Sequence, residues 1–276
     1  MAQITATEVN KLRHMTGAGM MDCKKALTEA DGDFDKATQI IRERGQAIAN
    51  KRSDREASEG IVLAATNENQ TLGVIIALKC ETDFVAKNVD FIKIAESILD
   101  KALTNNPADL EALKTVALDG KTIAEKIIEQ TGIIGEKLEL GFYEKIEAGQ
   151  VGFYIHSDKK LATLVGFNKS GLNVQIGKDV AMQIAAMDPV AIDKDFVPQS
   201  VIDKELEIGR HQAIADGKTG DLVDKIAQGK LGKFYKDSTL LNQDFIKESK
   251  ISVKQYLQQT EKDLTVTAFK RCSIKQ

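Results

Sequence analysis

Cysteine and histidine are both scarce in this 276-residue chain, with three of each. Cys23, Cys80 and Cys272 are scattered, odd in number and without a Cys-x-x-Cys pair, so neither a disulfide framework nor a zinc site is expected and the thiols read as reduced. His14, His156 and His211 lack a second histidine at metal-binding spacing, and no metal or other cofactor is expected. No run approaches the ~20 apolar residues of a membrane span. The amino terminus, Met1 to Glu8, lacks the charged region and apolar run of an export signal. A cytoplasmic chain without membrane contact is therefore expected. Charge of one sign is missing too: 38 Lys+Arg against 41 Asp+Glu leave a net charge of −3. With an isoelectric point near 5.8, no overall positive field draws nucleic acid, and direct nucleic-acid binding is not expected.

The composition is otherwise that of a folded protein, 42% hydrophobic and 29% charged. At about 150 residues per domain, the length suggests roughly two folded units. Thr5 and Glu8 form a capping-box pair, Ile4 can staple onto Val9, and Val9, Leu12 and Met15 repeat at helical spacing. Thr16-Gly17-Ala18-Gly19 breaks that helix. A second is predicted from Met20 to Ala30, with Met21 and Leu27 available to a core. After Asp31-Gly32-Asp33, which reads as a turn and cap, a third carries Phe34, Ala37, Ile40, Ile41 and Ile48, which gives a three-helix unit over about the first 50 residues. Lys51 to Gly60, with six charges in ten residues, reads as a solvated linker or helix extension.

The period then changes. Gly60 to Thr66 and Thr71 to Cys80 form a hairpin pattern, and Ile92, Ala95, Leu99 and Leu103 predict a helix from about Val89 to Leu103. Thr122 and Glu125 make a second capping box, with Gly132 as the expected stop. Lys137 to Ile146, Val151 to Ser157 and Leu161 to Asn168 predict a three-stranded antiparallel meander. A helix is expected over Gly177 to Met187, and an antiparallel pair over Gln199 to Ala215 and Asp221 to Tyr235. In that pair Gly209, Ala213, Ala227 and Gly232 let the backbones approach beside Leu206. Leu264 to Cys272 reads as a final strand.

Chemistry is thin. Gly120-Lys121-Thr122 and Gly217-Lys218-Thr219 invite a phosphate-loop reading, but Thr115 and Gln212 replace the required upstream glycine, so both are read as turns. No Gly-x-Gly-x-x-Gly opens a helix and no nucleophile elbow is present. His156 is a candidate general base, with a structural or surface role as the alternative. The most informative segment is Cys80-Glu81-Thr82-Asp83-Phe84-Val85-Ala86-Lys87-Asn88. In one reading Asp83 caps the following helix and Phe84 enters the local core. In the other, a rigid strand and helix present Phe84 to a partner with a carboxylate beside it. Met20 and Met21 carry the same ambiguity, one filling the three-helix core while the other offers an adaptable apolar contact.

Leu12-Arg13-x-x-Thr16-Gly17-Ala18-Gly19-Met20-Met21-Asp22-Cys23-Lys24-Lys25-Ala26-Leu27, followed by Cys80-Glu81-Thr82-Asp83-Phe84-Val85-Ala86, resembles the elongation factor Ts family over nearly the whole chain. The resemblance implies an α+β protein. It would have a ubiquitin-associated-like helical domain over 1–52, a core N-terminal subdomain over 53–140, and a core C-terminal subdomain over 141–276 containing the helical hairpin at about 199–235. It implies a guanine nucleotide exchange factor without covalent chemistry, whose partner is elongation factor Tu in its GDP-bound and nucleotide-free forms. Thr82, Asp83, Phe84 and Val85 match the element that disturbs magnesium in the partner, with Phe84 as the wedge. Met20 and Met21 match the surface that meets the partner's nucleotide-binding domain, and His156 matches a histidine associated with exchange. After Phe269 only Lys270 to Gln276 follow, whereas some family members continue into a further helical module. A homodimer or two-plus-two complex stays open. Two other classes are weighed against exchange: a small-molecule enzyme pairing His156 with a carboxylate such as Asp83, and a passive scaffold that binds proteins through the three-helix unit.

Overall fold

The fold, seen in a computed structural model that describes residues 4–275, mixes helices with small sheets. It divides into two compact units. One holds the described residues up to Leu63 with Ile76–Tyr143 and the last few residues; the other holds Ala64–Ile75 and Glu144–Cys272.

The first unit opens with α1 (Ala6–Thr16), whose N terminus is closed by the predicted Thr5/Glu8 capping box and whose end is Gly17 at φ 70°. Helices α2 (Met20–Glu29) and α3 (Phe34–Arg52) follow, the latter capped by Asp33 accepting from the amides of Asp35 and Lys36. The three bury Val9, Leu12, Ala18, Cys23, Ala26, Leu27, Ala30 and Ala37, with Ile4, Phe34, Ile40 and Ile41 packed against them. Met15 and Met21 are not in this core. The buried stripe of α2 runs through Cys23, Ala26, Leu27 and Ala30, an i, i+3, i+4, i+7 series that leaves Met21 on the outside.

Strands β1 (Glu59–Thr66) and β2 (Leu72–Cys80) are joined by a turn in which the Asn67 side chain accepts from the amides of Thr71 and Leu72. The single helical turn α4 (Asp83–Ala86) leads into α5 (Val89–Asn105), which buries Phe91, Ala95, Ile98 and Ala102, a face rotated from the predicted one of Ile92, Ala95, Leu99 and Leu103. Helix α6 (Leu110–Thr115) precedes two short strands, β3 (Ala117–Leu118) and β4 (Lys121–Thr122), paired around the first Gly-Lys-Thr turn. The Thr122/Glu125 capping box then starts α7 (Ile123–Ile134) as predicted, but the helix runs on past Gly132 to Gly135, which takes φ 79°. Gly132 serves packing instead. A Cβ there would lie 2.3 Å from the Gly45 Cα, so α3 and α7 cross with their backbones in contact.

The predicted meander is not formed. Strand β5 (Glu139–Glu147) joins a sheet of order β1-β2-β5, while β6 (Gln150–Ile155) and β7 (Leu161–Phe167) pair antiparallel in a second sheet. The connection after β5 is short, but a strand partner is chosen by the apolar surface it completes rather than by sequence distance. Helix α8 (Val174–Met187) begins earlier than predicted because Asn173 caps it. The hairpin of α9 (Gln199–Ala215) and α10 (Asp221–Ser238) is present, with Gly209 close to Ala227 but Gly232 facing open space. The second Gly-Lys-Thr is its turn, Gly217 at φ 75° with the Lys218 amide bonded to the Ala213 carbonyl. Strands β8 (Asp244–Phe245) and β9 (Glu248–Ser252) and helix α11 (Val253–Thr260) lie in a segment for which the sequence pattern predicts no element. Strand β10 (Val266–Ser273) completes the order β10-β7-β6. The second unit's core gathers Phe167, Val180, Ile184, Leu241, Phe245, Leu257 and Val266.

The α3–α7 crossing yields a stability prediction. Gly132→Ala gains about 1 kcal/mol of helix propensity, while overpacking costs typically about 1–3 kcal/mol. With a Cβ 2.3 Å from backbone, the clash is expected to win, lowering the urea midpoint; an unchanged or raised midpoint would mean that the crossing relaxes freely.

Candidate functional site

At the end of β2 the chain leaves the sheet and is caught at once. The Cys80 thiol donates to the Thr82 carbonyl at 3.2 Å. Glu81, nearly buried, accepts from Arg52 at 2.7 Å and from the Lys137 amide at 2.6 Å, with Arg55 3.4 Å away. Burial opposes charge on this carboxylate, but the Lys137 amide and the Arg52 and Arg55 guanidiniums together outweigh it and hold Glu81 below the ordinary glutamate range. Burial, with the charge of Glu136 next, pushes the Cys80 thiol up to about 12, so that sulfur is a packing atom and not a nucleophile.

Thr82, not Asp83, caps α4. Its hydroxyl oxygen accepts from the Val85 amide at 3.5 Å, and its own proton goes to Glu136 at 2.7 Å. The Thr82 amide donates to the other oxygen of Glu136 at 3.0 Å. Asn88 caps α5, which leaves the Asp83 carboxylate to pair with Lys87 at 2.7 Å, one turn along. The core role for Phe84 also fails: α4 buries Ala86 and leaves the Phe84 ring 82% exposed, while Phe91 supplies the buried aromatic. Capped at one end by Thr82 and followed by a capped helix, this turn holds an aromatic ring in water beside a carboxylate.

Met20 and Met21 are both exposed, at 52% and 64%, so neither fills the three-helix core. They begin α2 directly after Gly19, within the same unit as α4. His156 belongs to the other unit. It follows β6 rather than lying in it, half exposed, with Nδ1 2.9 Å from Asp158 and its ring edge-on to Tyr154 at 6.4 Å. The Lys160 amide, burial opposing it, and the His156 contact hold the Asp158 carboxyl below its ordinary value. Each member of the suggested His156 and Asp83 pair thus has a local partner of its own: Asp158 for one, Lys87 for the other.

Among the described residues, no group of three or more His, Cys, Asp or Glu side chains is arranged to hold a metal ion, and no helix is long and apolar enough to cross a membrane. Sequence reasoning missed Glu136, Lys137, Arg52 and Arg55. They lie 26 to 56 residues from their partners, and nothing in local spacing marks them.

A family model described as Elongation factor TS matches residues 81–276. The chain is 51% identical over 272 residues to Elongation factor Ts of Porphyromonas gingivalis, covering 98% of each protein. It is 49% identical over 275 residues to Elongation factor Ts of Flavobacterium psychrophilum, covering 99% of this chain and 100% of that protein. It is 52% identical over 273 residues to Elongation factor Ts of Amoebophilus asiaticus, covering 98% and 99%.

Two outcomes follow from the burial and charge of this site. Phe84→Ala is expected to change unfolding free energy by no more than about 0.5 kcal/mol, as for an ordinary surface position, whereas Phe91→Ala costs about 3–5 kcal/mol. Urea unfolding checks both, and comparable losses would mean that Phe84 packs in solution. Because the folded Glu81 has a depressed pKa, its contribution is present above the unfolded glutamate value of about 4.3 and is lost as pH falls through the folded value. Glu81→Gln should therefore flatten the acid limb of the stability profile, and an unaltered limb would show that the ion pairs carry none of it.

Proposed function

Because the chain belongs to the elongation factor Ts family, we propose that it is a guanine nucleotide exchange factor for elongation factor Tu, acting in translation elongation in the cytoplasm without making or breaking a covalent bond. The observation that carries this reading is the exposed Phe84 on a capped turn. Exposing a large aromatic side chain is unfavourable in an isolated protein and becomes favourable when a partner buries it.

In this reading Phe84 wedges against the partner beside its nucleotide site, and Asp83, with Thr82 and Val85, helps shift the contacts around the magnesium ion. A GTPase holds its nucleotide through backbone donors, a lysine and magnesium acting jointly, so disturbing the metal weakens several interactions together. Met20 and Met21 add a polarizable apolar contact to the partner's nucleotide-binding domain, and His156 contributes a contact from the second unit. The N-terminal three-helix unit is taken as a ubiquitin-associated-like domain over 1–52, with core subdomains over 53–140 and 141–276. A homodimer or two-plus-two assembly with the partner is compatible with this plan.

Linkage sets the energetics. If the factor weakens GDP binding, GDP weakens the factor's binding by the same factor, about 1.4 kcal/mol for each tenfold. The overall nucleotide equilibrium is left unchanged and only its approach is accelerated. Release of a fluorescent GDP analogue from purified elongation factor Tu, with and without this protein across a magnesium series, tests the proposal. Acceleration that Phe84→Ala largely abolishes is expected. No acceleration by the folded protein on its cognate partner would overturn it and leave binding without exchange.

A further inference from the structure

The turn that carries Phe84 is too short to orient itself. A four-residue helix has no independent stability, so its direction is inherited from whatever holds its first residues. What holds them is a reciprocal clamp between two sequence-distant segments, residues 81–82 and 136–137. Glu136 receives both the amide and the hydroxyl of Thr82, one on each oxygen, and Glu81 in return receives the amide of Lys137. Because the Thr82 hydroxyl sends its proton to Glu136, its lone pair is free to accept the Val85 amide, and the rotamer that caps α4 is selected by Glu136. The clamp extends to α3: Arg52 binds Glu81, and the Lys137 ammonium donates to the carbonyls of Ser53 and Arg55 at 2.9 Å each. The helices that deliver these groups, α3 and α7, meet at the Gly45–Gly132 contact. Three chain segments therefore converge on the root of one exposed aromatic ring.

We propose that Glu136 is a positioning residue for nucleotide exchange: it touches no part of the partner, and acts through Thr82 to hold the Phe84 turn in the direction in which it engages. The inference rests on the exchange reading above. Glu136, through Phe84, would then govern how fast bound nucleotide leaves, while the exposed surface at Met20 and Met21 governs how much factor is needed. The Glu81–Arg52 pair has the same role from the other side, fixing residue 81 against the end of α3.

The test is a double-variant cycle on the full-length protein, read as the maximal rate of GDP-analogue release at saturating factor and as the half-saturating concentration. Glu136→Ala is expected to lower the maximal rate about tenfold, which converts to about 1.4 kcal/mol, the scale of losing one hydrogen bond to a charged group, with the half-saturating concentration little changed. Glu136→Gln retains one acceptor oxygen and should fall between the two. In a Phe84→Ala background neither change should lower the residual rate further, because the group being positioned is gone. Circular dichroism and urea unfolding establish the folded fraction by which each rate is normalised. Equal losses in both backgrounds, a shift in half-saturating concentration alone, or no loss after normalisation would each overturn the role of Glu136 while leaving exchange in place. Failure of the unmodified protein to accelerate release would instead remove the exchange reading, and this inference with it.

Discussion

Two carboxylates, Glu81 and Glu136, hold the root of the structure's most exposed aromatic ring. Each accepts the backbone amide of the segment that carries the other, and so each removes a donor that a chain leaving a strand would otherwise leave unpaired. Charge-assisted bonds of this kind are about twice as strong as neutral ones, and the Glu81 side chain that accepts them is only 13% exposed. Everything distal to the clamp is small: one cap, one helical turn, one ring. The stiffness of the turn is borrowed from α3, β2 and α7 rather than generated by its own four residues.

That arrangement explains how an exposed Phe84 coexists with a well-packed unit. The buried groups near it are conventional, with Phe91, Ala95 and Ile98 on α5 and Ala86 on α4, so removing the Phe84 ring subtracts nothing from the core. The same separation holds at α2. Cys23, Ala26 and Leu27 stabilise the three-helix unit, while Met20 and Met21 stand outside it after a glycine turn. In both places a helix start is capped or turned by local residues, and the large apolar side chain sits in its first turn. The second unit follows a different pattern. Asp179, almost buried, binds Lys247 at 2.6 Å and Tyr256 at 3.2 Å. Burial, with the charge of Asp179 next, raises the tyrosine pKa to about 12. Such a polar network fixes the β8–β9 segment and α11 to α8, and its cost is met by nearly complete pairing.

Much of the fold was legible because it is local. Capping boxes at Thr5 and Thr122, the Asp33 cap and the hairpin around Asn67 depend on residues within a few positions of one another, and each stands where the spacing placed it. Legibility ended where a distant partner decides. Gly132 looks like a helix stop until Gly45 is brought against it. Strand β5 follows the expected hydrophobic pattern but pairs with β2, a choice made by tertiary burial. Helix α11 is hidden among polar residues because only Val253 and Leu257 of its residues are buried. At the site, Thr82–Val85 stood out by composition, yet sequence alone left Phe84 divided between core and surface. Glu136 carried no signal because its role exists only across the 54 residues that separate it from Thr82.

The role proposed for Phe84 requires its turn to be held before any partner arrives. Amide hydrogen exchange resolved by NMR in the free protein measures this directly, since the Thr82 amide donates to Glu136 and the Val85 amide to the Thr82 hydroxyl. Protection of both amides well above that of an open chain, lost together in Glu136→Ala while α5 amides keep theirs, is the predicted result. Amides at Thr82 and Val85 that exchange as fast as an unstructured peptide would contradict it, because the ring would then have no fixed direction to present.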